Sequence, residues 1–309
     1  FTVWNASSTT TAGELRIGTG SEIVAAVQTK QQVVVFTDRS VTAMQYIGEP
    51  FTFGLTEVST NTSIVAQNAA VAVGDSVYWM GDGVFYKYDG NVSLLNCPVE
   101  EYLFDNLNYA QVSKVVAASN SKFTEVWWFY PSKNSINNDS YVVYNYAENV
   151  WCYGTLDRTA WDENGISGYP IAASPDGNIY FQENGLSDGS TNPPSAISSY
   201  IESSAIEIGD GEQFMFIGRV LPDLSFRNST SSPEATFTIS ARDYPGANFG
   251  QTDSGGAVQT ATSPVEQFTE QLFFRLRGRS IALKVASSAV DTQWRLGTPR
   301  VDMRSDGRR

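Results

Sequence analysis

Short runs of alternating apolar and polar residues, separated by turn residues, dominate this chain and constrain its fold more than any other feature. β-Branched and aromatic side chains fill the runs, and Gly, Asn, Asp and Ser cluster between them, which is typical of strands joined by tight turns. One hairpin is predicted at residues 32–48, with its turn at Thr37 to Ser40, and another at residues 76–90, with its turn at Gly81 to Gly83. We therefore predict an all-β fold.

The strands of the first half recur at a regular interval. Aromatic centres at Phe36, Trp79, Trp128 and Tyr180 lie 43, 49 and 52 positions apart, close to the repeat of about 40 to 50 residues in propeller blades. A small antiparallel sheet cannot bury both faces alone, so stacked sheets with large aromatics between them are stable. We predict a β-propeller-like domain at residues 1–190; the alternative is a plain β-sandwich. Because the chain starts at Phe1, we expect part of the propeller to lie in a longer polypeptide.

A loop is predicted to divide the chain, and one segment before it to be helical. In residues 98–111, apolar residues recur four apart behind a proline and two glutamates, which favours a short helix. Residues 187–194 are rich in turn residues, and the alternating runs beyond them are longer. We predict a C-terminal β-sandwich-like or jelly-roll-like domain at residues 191–309, with an exposed loop at residues 245–259.

The bulk composition is that of a globular protein. Hydrophobic residues make up 41% of the chain and charged residues 17%, enough apolar surface to form a core. The longest apolar runs, at Val33 to Phe36 and Val126 to Tyr130, are far shorter than the roughly 20 residues of a membrane helix. We predict no membrane span. The sequence is compatible with either one disulfide between Cys97 and Cys152 or two free thiols.

Charge is segregated along the chain. Residues 265–309 hold 9 Lys or Arg against 5 Asp or Glu, whereas the whole chain holds 20 against 33. Arg275, Arg277 and Arg279 alternate, so a continuous strand would project them from one face in a row. Because the planar guanidinium matches carboxylates, we predict that these three arginines contact an acidic neighbouring subunit. A phosphate contact and a solvated strand face are the alternatives.

Much of the usual catalytic chemistry is missing from the sequence. The chain has no histidine, which excludes Ser-His and Cys-His nucleophiles and the commonest general base. Its two cysteines lack the spacing of a zinc site, and no glycine-rich phosphate loop occurs. We predict that the protein is not an enzyme and needs no cofactor or metal.

Carboxylate pairs are the one enzymatic route that stays open, because two acids suffice for glycoside hydrolysis. The candidates are Asp82 with Asp89, and Asp157 with Asp162 and Glu163. Asp82, Asp89 and Asn91 also form a weak calcium candidate. All of these residues fall in predicted turns, where solvated acids are common. A separate, ordinary turn is predicted at Ser174 to Asn178.

Several segments together suggest a family. The C-terminal runs EQFTEQLFFRLRGRSIALKVASS and WRLGTPRVDMRSDGRR resemble the end of the tail nozzle, or packaged-DNA stabilisation, proteins of short-tailed bacteriophages. Four internal segments are similar to that family as well: FTDRSVTAMQYIGEPFTFGLTEV, VYWMGDGVFYKYDG, EVWWFYPSKNSINNDSYVVYNYAENVWCYGTLDRTAW and DGSTNPPSAISSYIESSAIEIGDGEQFMFIGRV. The resemblance covers the chain from about residue 30 onward.

The resemblance implies a virion structural protein. Its expected location is the phage tail, where a ring-shaped homo-oligomer, a hexamer in the family, retains packaged DNA and provides its exit channel. Expected partners are the adaptor, the tail tip or fibres, and DNA that passes through without sequence-specific binding. The alternative from another class is a glycan-binding or glycan-hydrolysing β-propeller of the tail.

Overall fold

The structure is a computed structural model that describes residues 5–7, 12–49, 51–163, 168–230, 232–251 and 258–308. Strands hold 49% of the described residues and helical segments 5%. The all-β class is therefore confirmed. The chain divides into two compact units, Phe1–Glu183 (unit 1) and Asn184–Arg309 (unit 2). The sequence predicted two domains, at residues 1–190 and 191–309. That these are two independently folding domains stays a prediction.

Unit 1 consists of small antiparallel sheets in which successive strands pair with one another. The first three are four-stranded and the fourth has three strands. The strands are β1 (Ile23–Gln28), β2 (Gln32–Thr37), β3 (Ser40–Gly48), β4 (Thr52–Thr60), β5 (Ala70–Val73), β6 (Ser76–Met80), β7 (Phe85–Tyr88), β8 (Val92–Leu95), β9 (Val116–Asn120), β10 (Glu125–Tyr130), β11 (Ser140–Asn145), β12 (Val150–Thr155), β13 (Ala160–Asp162), β14 (Ile171–Ala173) and β15 (Ile179–Phe181).

The order of the strands confirms both predicted hairpins, β2–β3 and β6–β7. The first strands of successive sheets lie beside each other: β1 contacts β5, β5 contacts β9, and β9 contacts β13. The sheets of unit 1 therefore follow one another side by side along the chain. The propeller itself stays a prediction.

Large aromatic side chains fill the core between the first three sheets. Phe36, Trp79 and Trp128 each lie on the second strand of a sheet and are almost fully buried. Phe36 and Trp79 pack edge to face, with ring centroids 5.0 Å apart, an arrangement that adds to the stability gained by burying the rings. The indole Nε1 of Trp128 donates to the Ala69 carbonyl at 3.1 Å. One apolar cluster thus links the three sheets.

The fourth aromatic centre does not take the equivalent position. Tyr180 lies on β15, the third strand of its sheet, while Ala172 is the buried residue of the second strand, β14. The strands of this sheet have only three residues each. The phenol of Tyr180 instead donates to Asp176, and its ring stacks on the guanidinium of Arg158.

The predicted helix is present but shorter than the pattern suggested. Helix α1 spans Glu100–Asn106, and a 3-10 helix follows at Tyr109–Lys114. Leu103 and Leu107 are buried, as their spacing predicted. The two helical segments are separate because Leu107 and Asn108 have extended backbone dihedral angles.

Unit 2 contains two larger sheets and two short two-stranded sheets. Its strands are β16 (Ser187–Asp188), β17 (Ser195–Ala196), β18 (Ser199–Glu202), β19 (Ile206–Glu207), β20 (Met215–Leu221), β21 (Leu224–Ser225), β22 (Glu234–Arg242), β23 (Thr260–Glu266), β24 (Leu272–Gly278), β25 (Ser280–Ser287), β26 (Arg295–Leu296) and β27 (Arg300–Ser305).

The two sheets of unit 2 share one core. The first has the order β18-β25-β22-β23, with β19 also paired to β25, and the second has the order β24-β20-β27. Side chains from both sheets form a single buried cluster that includes Met215, Ile217, Phe237, Ile239 and Leu283. This pattern is compatible with the sandwich-like domain predicted from the sequence, which stays a prediction.

Strand β23 was missed by the sequence pattern. It pairs with β22 along seven positions, from Glu234 opposite Glu266 to Ser240 opposite Thr260. Its residues, TATSPVE, are mostly polar and include Pro264, which has no N–H and fits an edge strand. The predicted loop at 245–259 lies before this strand, and its residues 252–257 are outside the described residues.

Candidate interaction face

Strand β24 separates an apolar face from a basic one. Leu272, Phe274 and Leu276 are buried in the core of unit 2, while the alternating residues Phe273, Arg275 and Arg277 are exposed. The period of two in the sequence LFFRLRG produces this division, because successive side chains of a strand point to opposite faces. Two of the three predicted interface arginines thus lie side by side on the outer face.

Sheet pairing brings further arginines to the same face. On β20, Phe216 pairs with Arg277 on one side and with Arg304 of β27 on the other. Arg219 of β20 likewise lies between Phe273 and Asp302. We call this outer surface of the three strands the arginine face, comprising Phe216, Arg219, Phe273, Arg275, Arg277, Arg300, Asp302 and Arg304.

Arg279, the third predicted residue, lies outside the strand. Strand β24 ends at Gly278, and Arg279 joins it to β25. A Cβ at Gly278 would be 2.7 Å from the Cβ of Ala241, so the backbone approaches β22 closely where the chain passes from one sheet to the other. The Arg279 amide donates to the Arg242 carbonyl there.

Phe214 fixes two of the predicted arginines within their own chain. The guanidinium carbons of Arg277 and Arg279 lie 3.9 and 4.5 Å from the centre of its ring, within the range of cation–π attraction. Arg277 also forms an ion pair with Asp306, at 2.6 Å between Nε and the carboxylate. Arg279 donates to the backbone carbonyls of Glu212 and Arg308. These two side chains therefore have structural roles inside unit 2.

The other arginines of the face differ in how their charge is compensated. Arg219 lies 3.7 Å from the Asp302 carboxylate, and Arg304 stacks on Phe216 at 4.7 Å. Among the described residues, no carboxylate lies within ion-pair distance of Arg275, Arg300 or Arg304. These three residues carry the positive charge that the face offers to a partner.

Sequence reasoning identified β24 but not its neighbours on the face. The alternation in residues 300–305 places Arg300, Asp302 and Arg304 on one side of a strand, and that signal was available. No pattern in the sequence predicts the strand order β24-β20-β27. Long connections separate these strands along the chain, and local signals do not extend across them.

Formal charge differs between the two units. Unit 1 holds 8 Lys or Arg against 19 Asp or Glu, a net charge of −11, and unit 2 holds 12 against 14. Five exposed arginines of β20, β24 and β27 therefore concentrate positive charge on one sheet face of an acidic protein. Asp302 is the one acid within that face.

Three of the carboxylates predicted as catalytic or calcium-binding candidates have local partners. Asp89 pairs with Lys87 at 2.7 Å, Asp157 accepts from Ser174 and contacts Arg158, and Glu163 accepts from Ser121. Asp82, Asn91 and Asp162 lie in or beside hairpins. In the described part of the chain, no group of three or more His, Cys, Asp or Glu side chains is arranged to hold a metal ion.

The predicted turn at Ser174 to Asn178 is confirmed. The Gly177 amide donates to the Ser174 carbonyl, and the Asn178 amide donates to the carboxylate of Asp176. This second bond, with those from the Asn178 and Tyr180 side chains, lowers the pKa of Asp176 to about 2. A turn of this kind is structural.

Two carboxyl groups escaped the sequence analysis. Burial raises the pKa of both Glu125 and Glu183, although Glu125 accepts a bond from the Trp127 indole and Glu183 one from Asn120. Tyr141 lies in the same surroundings, and burial raises its pKa to about 12. Nothing in the sequence marks these glutamates, because only packing determines their burial.

The cysteines are free thiols rather than a disulfide. Burial raises the pKa of both Cys97 and Cys152 to about 11, so neither thiol forms the reactive thiolate near neutral pH. Among the helices of the described residues, none is long and apolar enough to cross a membrane.

Comparisons with known proteins add little. No protein-family model matches the chain, and no curated protein matches it. Among solved structures, a hemopexin fold protein, CP4 from cow pea, is similar with a TM-score of 0.28 and 13% identity, over 52% of this chain and 92% of that one. A 2S albumin seed protein from Dolichos has a TM-score of 0.28 and 11% identity, over 53% and 93%. TM-scores this low carry no argument about this chain.

Proposed function

We propose that this chain is a structural subunit of the tail nozzle of a short-tailed bacteriophage. In this proposal it forms a ring-shaped homo-oligomer, of six copies by analogy with the family it resembles, which retains packaged DNA and provides its exit channel. Its other partners are the adaptor and the tail tip or fibres. It has no enzymatic activity and needs no cofactor.

The observation that carries the proposal is the arginine face on an otherwise acidic molecule. A subunit with a basic face and an acidic body attracts copies of itself in a defined orientation, and complementary charge steers such contacts. Unit 1, with its net charge of −11, supplies the acidic side. The resemblance of the C-terminal strands to nozzle proteins gives the assembly its biological setting.

The overall charge also suits a channel wall. DNA-binding proteins hold the duplex by basic surfaces that displace counterions from the phosphates, and a formal charge of −13 opposes that. We infer that the channel surface is predominantly acidic, so that the duplex slides without being held. Retention of the genome then depends on a plug or on steric closure.

Electron microscopy of the purified chain tests this function. We expect closed rings with an axial channel, and antibody against the chain should label the distal end of the tail in its parent particle. A chain that forms no ring and labels no tail would overturn the proposal.

One observation favours the alternative of a glycan-binding or glycan-hydrolysing tail component. Glu125 and Glu183 have raised pKa values and share their surroundings with aromatic side chains, and a general acid in glycoside hydrolysis needs a raised pKa. Turnover of a host polysaccharide that Glu125→Gln or Glu183→Gln abolishes, with Glu57→Gln as the control, would establish it. Absence of turnover by the wild type would exclude hydrolysis.

A further inference from the structure

We propose that the arginine face binds the acidic, tyrosine-rich surface around helix α1 on unit 1 of a second copy of this chain. This inference rests on the proposed function, because it names the partner of the face on which assembly depends. It goes further in assigning both sides of the contact.

The arginine face has the composition of an interface, and some of its side chains are already held in place. Arg and aromatic residues are enriched at the centres of protein interfaces, and here Phe273 is 72% exposed beside Arg275. Arg304 is held by stacking on Phe216, and Arg277 by Phe214 and Asp306. Side chains that are fixed before binding lose less conformational entropy when a partner arrives.

The surface around α1 is complementary in charge and similar in its aromatic content. Glu101 and Asp105 are exposed on α1, and Asp82 is exposed in the β6–β7 turn. Tyr102 and Tyr109 are 52% and 51% exposed among them. Burial raises the pKa of Tyr109, and the charges of Asp82 and Asp105 raise it further. We call this group the α1 surface.

The Tyr102 ring is held in place by a neighbour. It packs on Tyr153 of β12, with ring centroids 4.6 Å apart, and Tyr153 is itself partly exposed. Exposed tyrosines fixed by ring contacts present rigid, amphipathic area to a partner. Carboxylates beside them match the unpaired guanidinium groups of Arg275, Arg300 and Arg304.

A second copy of the chain suits the face better than DNA does. Phosphates would meet the arginines but would also bring their charge against a body of net charge −11. A copy of the same chain supplies carboxylates and aromatic rings together. The two surfaces differ, so the contact is heterologous, and it repeats from subunit to subunit until the ring closes.

The experiment reverses each surface in the full-length chain. The face-reversed variant is Arg275→Glu with Arg304→Glu, and the α1-reversed variant is Glu101→Lys with Asp105→Lys. Matched controls make equal charge changes at other exposed sites: Arg227→Glu with Arg295→Glu, and Glu57→Lys with Glu148→Lys. Sedimentation velocity measures self-association of each protein alone and of the two reversed variants mixed, and thermal melting checks folding.

We expect each reversed variant to associate about 100-fold more weakly than the wild type, because like charges then face each other. Both controls should associate normally. An equimolar mixture of the two reversed variants should recover association, since each reversed surface again meets its opposite. That recovery also shows that both variants are folded, and added salt should weaken the wild-type contact.

Several results would overturn the inference. These are a wild type that stays monomeric at low salt, reversed variants that associate normally, or a mixture that does not recover. Duplex DNA binding that the face-reversed variant loses while it still self-associates would assign the face to DNA instead.

The inference and the proposed function fail in different ways. Rings that assemble normally from the reversed variants would leave the nozzle standing and remove this contact. The opposite outcome is association that recovers in the mixture but yields open chains rather than rings. It would support the proposed contact and contradict the nozzle function.

Discussion

At the scale of single residues, burial has changed the chemistry of side chains that look ordinary in the sequence. Glu125 is a clear example: it lies at the start of β10, and its carboxylate accepts the Trp127 indole N–H at 2.9 Å. Burial nevertheless raises its pKa above the ordinary value of 4.5. The charged form of Glu125 therefore opposes folding near neutral pH.

We predict that Glu125→Gln raises the melting temperature at pH 7 by roughly 1–3 °C, because the amide keeps an acceptor for Trp127 without a buried charge. Well below pH 4.5 Glu125 is protonated in both states, so the gain should disappear there; it should grow as pH rises from 4.5 toward the raised folded pKa and level off above it. Calorimetry from pH 4 to pH 8 measures this. Glu57→Gln, at an exposed position, is the control, and a gain that does not depend on pH would contradict the explanation.

Gly278 is the second residue whose importance comes from packing. Its backbone lies against Ala241 and Arg242, with a virtual Cβ only 2.7 Å from the Ala241 side chain. We predict that Gly278→Ala destabilises the protein by about 1–3 kcal/mol through overpacking, measured by urea unfolding. Gly189→Ala is the matched control because nothing lies within 4 Å of its virtual Cβ. Equal stability of the two variants would show that β22 shifts to accommodate the added methyl group with no loss of unfolding free energy.

At the scale of elements, the sheets of unit 1 depend on aromatic side chains that each reach beyond their own sheet. Trp79 and Trp128 both donate through the indole to backbone carbonyls, Trp79 to Ser63 and Trp128 to Ala69. Ala69 immediately precedes β5 of the second sheet, whereas Trp128 belongs to the third. This bond ties the third sheet to the start of the second.

We predict that Trp128→Phe lowers the free energy of unfolding by about 1–3 kcal/mol, because it leaves a small cavity and removes one of the two donors to the buried Ala69 carbonyl, the other being the Met80 amide. Trp127→Phe is the control, since that neighbouring indole is partly exposed and bonds to Glu125. Guanidinium unfolding followed by circular dichroism measures both. A loss at Trp128 no larger than that at Trp127 would mean that the bond to Ala69 contributes little.

At the scale of the whole molecule, charge distribution is the feature with the clearest functional consequence. The protein is strongly acidic, yet its exposed sheet of β24, β20 and β27 is basic. Net charge governs the long-range approach of DNA, while a local patch governs which protein surface can dock. The two effects therefore select different partners.

We predict that the protein does not bind duplex DNA with sub-micromolar affinity at physiological salt, because a net charge of −13 repels the phosphates. Fluorescence anisotropy with a labelled duplex measures this, and a salt titration provides the control, since phosphate contacts strengthen steeply as salt falls. Tight binding, or a ring channel lined mainly by Arg and Lys, would contradict both this prediction and the proposed channel wall.

The sequence by itself determined the strand content, the two hairpins of the first sheets and the inward and outward sides of β24. These are local properties, because alternation with period two and turn residues act over a few positions. The sequence failed where local signals were weak: Tyr180 has the right spacing but the wrong strand, and the polar strand β23 gave no apolar pattern.

Only the tertiary structure decided which strands share a face and which charges are already compensated. Arg275, Arg277 and Arg279 look equivalent in the sequence, yet Phe214 and Asp306 engage the last two and leave Arg275 free of an ion pair among the described residues. Arg304 joins Arg275 because β20 pairs with both β24 and β27. Such neighbours are far apart along the chain, and only the packing of two sheets around one core brings them together.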